Sequence, residues 1–330
     1  MENILTSFIK SQSSLILFFL LIFSIFILTK GADLTIDGVI SLASFTRIPK
    51  IVISATIVSL GTTMPEAFVS VMAAWEGNPD LSLGNGVGSI IADTGLIMGL
   101  ICVLAKVPVN KFILNVTGWI QVGVATLLVL LCFSFLIFFQ KPMVFRWVGF
   151  LFLFLLFIYM WFSYKWSKRL SMYFSDEKEE GSLLGILWII IGLLGVILGA
   201  KVLIPTAVEI SLRMHIPNDV VAATMVALGT SLPELSTAIA AIKKGYPEIM
   251  VGNIVGADIL NCLFVIGASA AATPLFISKN FYVLHFPFLL FILYSFRLFI
   301  FINKDGYFKR WQGMWLLCSY IVYLLLQYAI

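Results

Sequence analysis

Long apolar runs separated by short polar segments extend along almost the whole chain. A helix needs ~20 residues to cross the hydrocarbon core of a bilayer, and the runs bounded by glycine, proline and charge are about that long. They predict ten spanning helices, at 13–30, 51–76, 81–105, 112–138, 143–164, 183–203, 219–244, 247–273, 281–302 and 311–329. The pattern therefore predicts an all-α integral membrane protein.

The composition supports this assignment. Hydrophobic residues make up 61% of the chain and charged residues 12%, with a mean hydropathy of +1.05. An average soluble domain carries about twice that charged fraction, so soluble enzymes and nucleic-acid-binding proteins are excluded. The chain has no G-K-[ST] tripeptide, which argues against a phosphate-binding loop and ATP-driven transport. We expect no cofactor and no nucleic-acid partner.

One charged segment, at 165–180, divides the chain into two halves. We expect a first unit at 1–164, a linker at 165–182 and a second unit at 183–330. If the N-terminus lies outside, the inner loops hold 15 lysines and arginines and the outer loops hold 6. Because positive charge concentrates in cytoplasmic loops, both termini are predicted outside and the linker in the cytoplasm of a cell-membrane protein.

The two halves contain the same sequence at a separation of 168 residues. Positions 55–66 read ATIVSLGTTMPE and positions 223–234 read ATMVALGTSLPE, and about a third of positions 31–99 are identical to their counterparts. Equivalent helices are five spans apart, an odd number, so the copies cross the membrane in opposite directions. We therefore expect two inverted five-helix repeats, an architecture of secondary transporters, with Glu66 and Glu234 together near the midplane.

The repeated motif has the chemistry of a cation site. Pro65 and Pro233 are expected to interrupt their helices and free backbone carbonyls, which survive at membrane depth only when buried or lining a cavity. Glu66 and Glu234 follow in the first turn of a second half-helix, where the helix dipole favours a carboxylate. The hydroxyl groups beside the freed carbonyls are those of Thr62, Thr63, Thr230 and Ser231. Such oxygen ligands suit calcium or sodium.

Further polar residues within the predicted spans extend this candidate site. Asp93 and Asp258 are acids inside apolar helices, where a charge is costly and usually functional. Asn85 and Asn253 occupy equivalent positions and are expected to cap or bridge the broken helices. Four ionised acids would overcharge a site for one divalent ion, so we expect at least one to be protonated or set back from the ion.

With these motifs, the chain resembles the sodium/calcium exchanger family of cation/calcium antiporters. Its G-T-T-M-P-E and G-T-S-L-P-E segments resemble the paired G-T-S-x-P-E motifs of that family, and 84–93 and 252–261 resemble the G-N-x-x-G-S-N-type segments that follow. The resemblance implies ten helices and exchange of calcium for sodium at a central site. It implies that Glu66 and Glu234 are central calcium ligands. The other residues that it places at the cation sites are Thr62, Thr63, Thr230, Ser231, Ser89 and Asp93.

Two departures from the family pattern bear on the coupling ion. The G-S-N segment is Gly88-Ser89-Ile90 in the first half and Gly256-Ala257-Asp258 in the second. The following polar position is Asp93 in the first half and Asn261 in the second, often the reverse of its relatives. Because Ile90 and Ala257 remove potential sodium ligands, protons are an alternative to sodium.

Two other functions are weighed against exchange. A cation channel would let both gates open together, which broken inverted repeats disfavour. An intramembrane enzyme would need a nucleophile–base pair or catalytic metal ligands, yet the only histidines, His215 and His285, lie near predicted span ends. We therefore expect a non-enzymatic antiporter that acts as a monomer in the lipid bilayer, with calcium and sodium as its ligands.

Overall fold

The computed structural model describes residues 2–170, 182–214, 231–303 and 305–329. The described chain is almost entirely helical. The helices of the first half are α1 (Glu2–Ser11), α2 (Ser14–Thr46), α3 (Lys50–Thr62), α4 (Met64–Trp75), α5 (Pro79–Leu104), α6 (Lys111–Phe139) and α7 (Arg146–Leu170). Those of the second half are α8 (Gly185–Arg213), α9 (Leu232–Lys243), α10 (Pro247–Ala272), α11 (Phe281–Ile302) and α12 (Arg310–Ala329).

Among the described residues, seven helices are long and apolar enough to cross a membrane, and α3 with α4 forms an eighth candidate that is bent by 42°. The chain is therefore a multi-pass membrane protein. The predicted span 219–244 lies partly outside the described residues, and α12 covers the last predicted span. Helix α7 continues to Leu170, which lies within the predicted linker 165–182.

The helix boundaries repeat with the same separation of 168 residues as the sequence. Helix α4 corresponds residue for residue to α9, and α5 corresponds to α10. Within α5 and α10 the backbone changes to π-helical geometry at equivalent places, Asp93–Met98 and Asn261–Ile266. Two short strands, β1 (Met143–Val144) and β2 (Leu275–Phe276), pair antiparallel and join the halves.

Helices α2 and α8 extend well beyond the predicted spans 13–30 and 183–203. They pack antiparallel, and a Cβ atom added at Gly31 would lie 2.6 Å from the backbone nitrogen of Val196. A Cβ at Gly192 would lie 2.5 Å from the backbone nitrogen of Thr35. This close glycine contact lets the helices continue past the polar residues that end the apolar run. Helix α8 also passes through Pro205, where the apolar pattern predicted an end.

Helices α5 and α10 form the centre of the molecule. In the 18-residue apolar window of each helix, the buried share is 72% in α5 and 94% in α10. The corresponding share is 28% in α2 and 33% in α6. The outer helices therefore present their apolar side chains to lipid, and the two central helices are surrounded by protein. Most of the polar residues singled out from the sequence lie on these central helices or on the half-helices α4 and α9.

Candidate functional site

The bend between α3 and α4 places Glu66 in the interior. Helix α3 ends at Thr62, and α4 restarts at Met64 with Pro65 in its first turn, where a missing N–H costs no helical hydrogen bond. Glu66 lies in this first turn and is 1% exposed. The predicted interruption at Pro65 is therefore present, and Thr62 and Thr63 are buried beside it.

The second half has the same local arrangement. Ser231 precedes α9, Pro233 lies in its first turn, and Glu234 follows and is 1% exposed. Thr230, the remaining predicted hydroxyl ligand, lies outside the described residues, as does His215. His285 lies on α11, where its Nδ1 is 2.8 Å from the hydroxyl of Tyr323, away from the half-helices.

The central carboxylates are near one another. Glu66 and Asp93 each interact electrostatically with Glu234, and Asp93 also interacts with Asp258. The hydroxyl of Ser231 lies beside Asp93. Residues that are far apart in sequence and belong to different halves thus form one cluster of acidic side chains inside the protein.

Most oxygens of this cluster have no hydrogen-bond partner among the described residues. The buried unpartnered atoms at predicted site residues are Thr63 Oγ1, Glu66 Oε2, Ser89 Oγ, both carboxylate oxygens of Asp93 and Glu234, Ser231 Oγ, Asp258 Oδ1 and Asn261 Oδ1. Each buried unsatisfied group costs about 1–3 kcal/mol, and more if charged. Ionised carboxylates supply acceptors without donors, so either a cation or a proton would satisfy them.

Asp93 and Asn261 begin the two π-helical turns at equivalent positions. Both are buried, at 0% and 1% exposure. A π turn leaves part of the regular hydrogen-bond ladder unformed and is frequent at functional sites. The sequence predicted the polar residues but not this backbone geometry.

The two repeated asparagines bridge helices, as predicted. The side-chain amide of Asn85 donates to the backbone oxygen of Glu66 at 3.2 Å and to Ser70 Oγ at 2.9 Å. The amide of Asn253 donates to Thr237 Oγ1 at 3.0 Å, and its oxygen accepts from Thr62 at 3.4 Å. The asparagines therefore fix the half-helices that carry the glutamates.

Asp258 is held by residues that the repeat did not reveal. Its Oδ2 accepts hydrogen bonds from Thr94 Oγ1 and from the side-chain amide of Gln121, which is 1% exposed. Gln121 lies on α6, outside the repeated motifs. The signal in the sequence was one of two uncharged amides, Asn115 and Gln121, within the apolar run 112–138.

Acidic groups alone do not complete a metal site here. Within the ranges that the structure describes, no three carboxylate, histidine or cysteine side chains are arranged to hold a metal ion. A metal site here would therefore also need hydroxyl or backbone oxygens. The hydroxyl groups of the predicted site residues Thr62, Thr63, Ser89 and Ser231 are buried. This donor set matches the hard oxygen ligands that sodium and calcium prefer.

Comparisons with known proteins agree with this chemistry. The family model described as sodium/calcium exchanger protein matches residues 16–165 and 184–329. The sodium/calcium exchanger MaX1 of Methanosarcina acetivorans is 27% identical, over 95% of this chain and 99% of MaX1. A membrane protein of Methanocaldococcus jannaschii is 30% identical, over 88% and 91% of the two chains.

The fold is similar to that of solved exchangers. The structure of the sodium-calcium exchanger NCX_Mj soaked with sodium and calcium superposes with a TM-score of 0.79 at 25% identity, over 94% of this chain and 98% of that one. The family match covers both halves of the chain and includes the two half-helices with their glutamates. The chain belongs to the sodium/calcium exchanger protein family, as its repeated motifs predicted.

Proposed function

We propose that this protein exchanges calcium for sodium across the membrane by alternating access. The observation that carries the proposal is the pair of buried glutamates, Glu66 and Glu234, at the starts of two equivalent half-helices. Three of their four carboxylate oxygens have no hydrogen-bond partner among the described residues. Two carboxylates neutralise one divalent ion. Because Glu66 belongs to the first half of the chain and Glu234 to the second, the two halves can move relative to each other around the bound ion.

In this proposal the calcium ion binds between the half-helices. Glu66 and Glu234 supply the charge, and the adjoining hydroxyl and backbone oxygens of Thr62, Thr63 and Ser231 complete the coordination, with Thr230 as a further sequence-based candidate. Coordination of calcium requires six to eight oxygens, more than two carboxylates provide. Asn85 and Asn253 hydrogen-bond to the half-helices and so contribute to the calcium site by orienting the glutamates.

The sodium positions are proposed on either side of this centre. Ser89, Asp93 and Asn261 have unpartnered oxygens on α5 and α10. Asp258 contributes the single oxygen that Thr94 and Gln121 leave free. Sodium accepts such mixed hydroxyl, amide and carboxylate ligands.

The architecture supports exchange rather than a channel. The antiparallel packing of α2 and α8, the first long helices of the two halves, is the relation expected of inverted repeats. We propose ten spans in two inverted five-helix units, with the cytoplasmic linker 165–182 between them, both termini outside, and a monomer as the working unit. Inverted repeats alternate access by moving against each other, whereas a pore opens to both sides at once.

A calcium/proton antiporter is the second candidate. The observation that favours it is the presence of four buried acids in the cluster. Ile90 and Ala257 also stand where the G-S-N pattern of the resemblance has polar side chains. A proton requires only a carboxylate oxygen, whereas sodium requires several ligands. Both candidates use the same glutamates for calcium and differ only in the coupling ion.

Flux measurements separate these functions. The protein is reconstituted into proteoliposomes, and calcium-45 uptake is followed under a sodium gradient, a pH gradient or neither. Uptake driven by the sodium gradient alone is expected. Uptake driven only by the pH gradient would show that protons, rather than sodium, are the coupling ion. Uptake without any counter-ion gradient would indicate a channel.

A further inference from the structure

A buried arginine in a membrane-spanning helix has no negative partner among the described residues. Arg297 of α11 is 6% exposed, and its Nη2 donates to Asn115 Oδ1 at 2.9 Å. Its Nε and Nη1 atoms have no hydrogen-bond partner among the described residues. The salt bridges within the same ranges include none to Arg297. A desolvated guanidinium without an anion is costly, so this position calls for a negatively charged ligand.

A second cation lies one helical turn away on the same seam. Lys111 Nζ donates to the backbone oxygen of Phe301 at 3.2 Å. The contacts pair 111 with 301 and 115 with 297, so α6 and α11 run antiparallel and the two cations are about 6 Å apart along the seam. Neither cation has an acidic partner among the described ion pairs. The seam therefore carries two positive charges, which favour a ligand with net negative charge.

The position of the seam fits the depth of lipid headgroups. Lys111 is the first residue of α6, and Phe301 is next to the last residue of α11, so both helices end here. Arg297 is four residues from Phe301, about 6 Å further into the bilayer. The guanidinium lies 4.7 Å from the ring of Trp119, which is 58% exposed. Tryptophan is typical of this interfacial zone.

We propose that the seam formed by Lys111, Asn115, Trp119 and Arg297 binds the phosphate group of an anionic phospholipid. The planar guanidinium suits two phosphate oxygens at once, and Lys111 adds a point charge at the start of α6, where the helix dipole also favours an anion. The exposed indole of Trp119 lies against the guanidinium of Arg297, at the edge of the seam that would meet the headgroup. This inference does not depend on which ions the protein exchanges.

Native mass spectrometry of the delipidated protein in detergent tests the site. Phosphatidylglycerol, phosphatidylcholine and inorganic phosphate are titrated in parallel against the wild type, Arg297→Gln and Lys111→Gln. The matched control is Arg146→Gln, because Arg146 is an exposed arginine at a helix start that donates to the backbone oxygen of Ala272. Glutamine at 297 keeps a polar donor group but removes the charge.

The expected result is a loss of about tenfold in phosphatidylglycerol affinity in Arg297→Gln and in Lys111→Gln, the size of a lost charged hydrogen bond. Arg146→Gln should bind as the wild type does. Equal affinity in the Arg297→Gln and Arg146→Gln proteins would overturn the proposal. Competition by millimolar inorganic phosphate, or equal binding of phosphatidylcholine, would overturn the assignment to an anionic lipid. If Arg297→Gln does not survive purification, Lys111→Gln decides between these outcomes.

Discussion

Replacing Glu66 with glutamine removes one charge from the proposed calcium site with little change in shape. The side chain is 1% exposed, and its Oε2 has no partner among the described residues. The contact that Asn85 makes in this turn is to the backbone oxygen of Glu66, which the substitution leaves in place. The variant should therefore fold and insert, and its defect should be confined to ion binding.

The size of the defect follows from the burial of the charge. Removing one partner of a buried ion pair costs about 3–5 kcal/mol, because the other charge is left uncompensated. Each 1.36 kcal/mol is tenfold, so calcium affinity should fall by about 150- to 5,000-fold. At micromolar calcium, such a loss removes nearly all uptake. Glu234→Gln should have a similar effect, because Glu234 occupies the equivalent position in α9.

The assay is calcium-45 uptake into proteoliposomes over a range of external calcium, at a fixed sodium gradient. The matched control is Glu76→Gln, since Glu76 is an exposed glutamate at the other end of α4 and its replacement should leave uptake unchanged. Thermal unfolding in detergent checks that the variants remain folded. Near wild-type calcium affinity in Glu66→Gln would refute the assignment of this carboxylate to the calcium site.

Three further predictions test the packing, the support of Asp258 and the coupling. Gly31→Val should lower the melting temperature measured in detergent, because its Cβ would lie 2.6 Å from the backbone of α8. Gly123→Ala should not lower it, because no atom lies within 4 Å of the added Cβ. Equal melting temperatures would contradict the close glycine contact between α2 and α8. Gln121→Leu removes a donor to Asp258, so sodium-dependent uptake should require about tenfold more sodium, and an unchanged sodium dependence would make Gln121 merely structural. Asp93→Asn removes one buried proton acceptor, so a pH series at fixed sodium should show weaker acid inhibition of uptake, and superimposable profiles would remove the main support for proton coupling.

Sequence patterns predicted the central helices closely because burial and apolar character coincide there. The predicted span 247–273 is helix α10, Pro247–Ala272, and Pro65 and Pro233 lie in the first turns of their half-helices. At the edge of the molecule the pattern failed. The apolar run of α2 ends near Lys30, yet the helix continues to Thr46, because backbone contact with α8 stabilises a segment that an apolar window does not detect.

Self-similarity found residues that the two halves share and missed a residue that only one half uses. Glu66 and Glu234 stand out because a glutamate recurs at the equivalent position of each repeat. Gln121 has leucine at its equivalent position, 289, so the repeat gives no signal for it. Its contact with Asp258 depends on the packing of α6 against α10, which is a tertiary relation.

The two central helices combine symmetric backbone geometry with asymmetric chemistry. Both π turns begin at the same position of the repeat, but one begins with the acid Asp93 and the other with the neutral Asn261. Asp258 is an acid at the position equivalent to Ile90, so each half adds one acid to its glutamate, but at a different position of the repeat. If the halves exchange roles during alternating access, the ions meet different electrostatic environments from the two sides. We therefore expect Asp93 and Asp258 to determine which ion couples to calcium, while the symmetric glutamates bind calcium from either side.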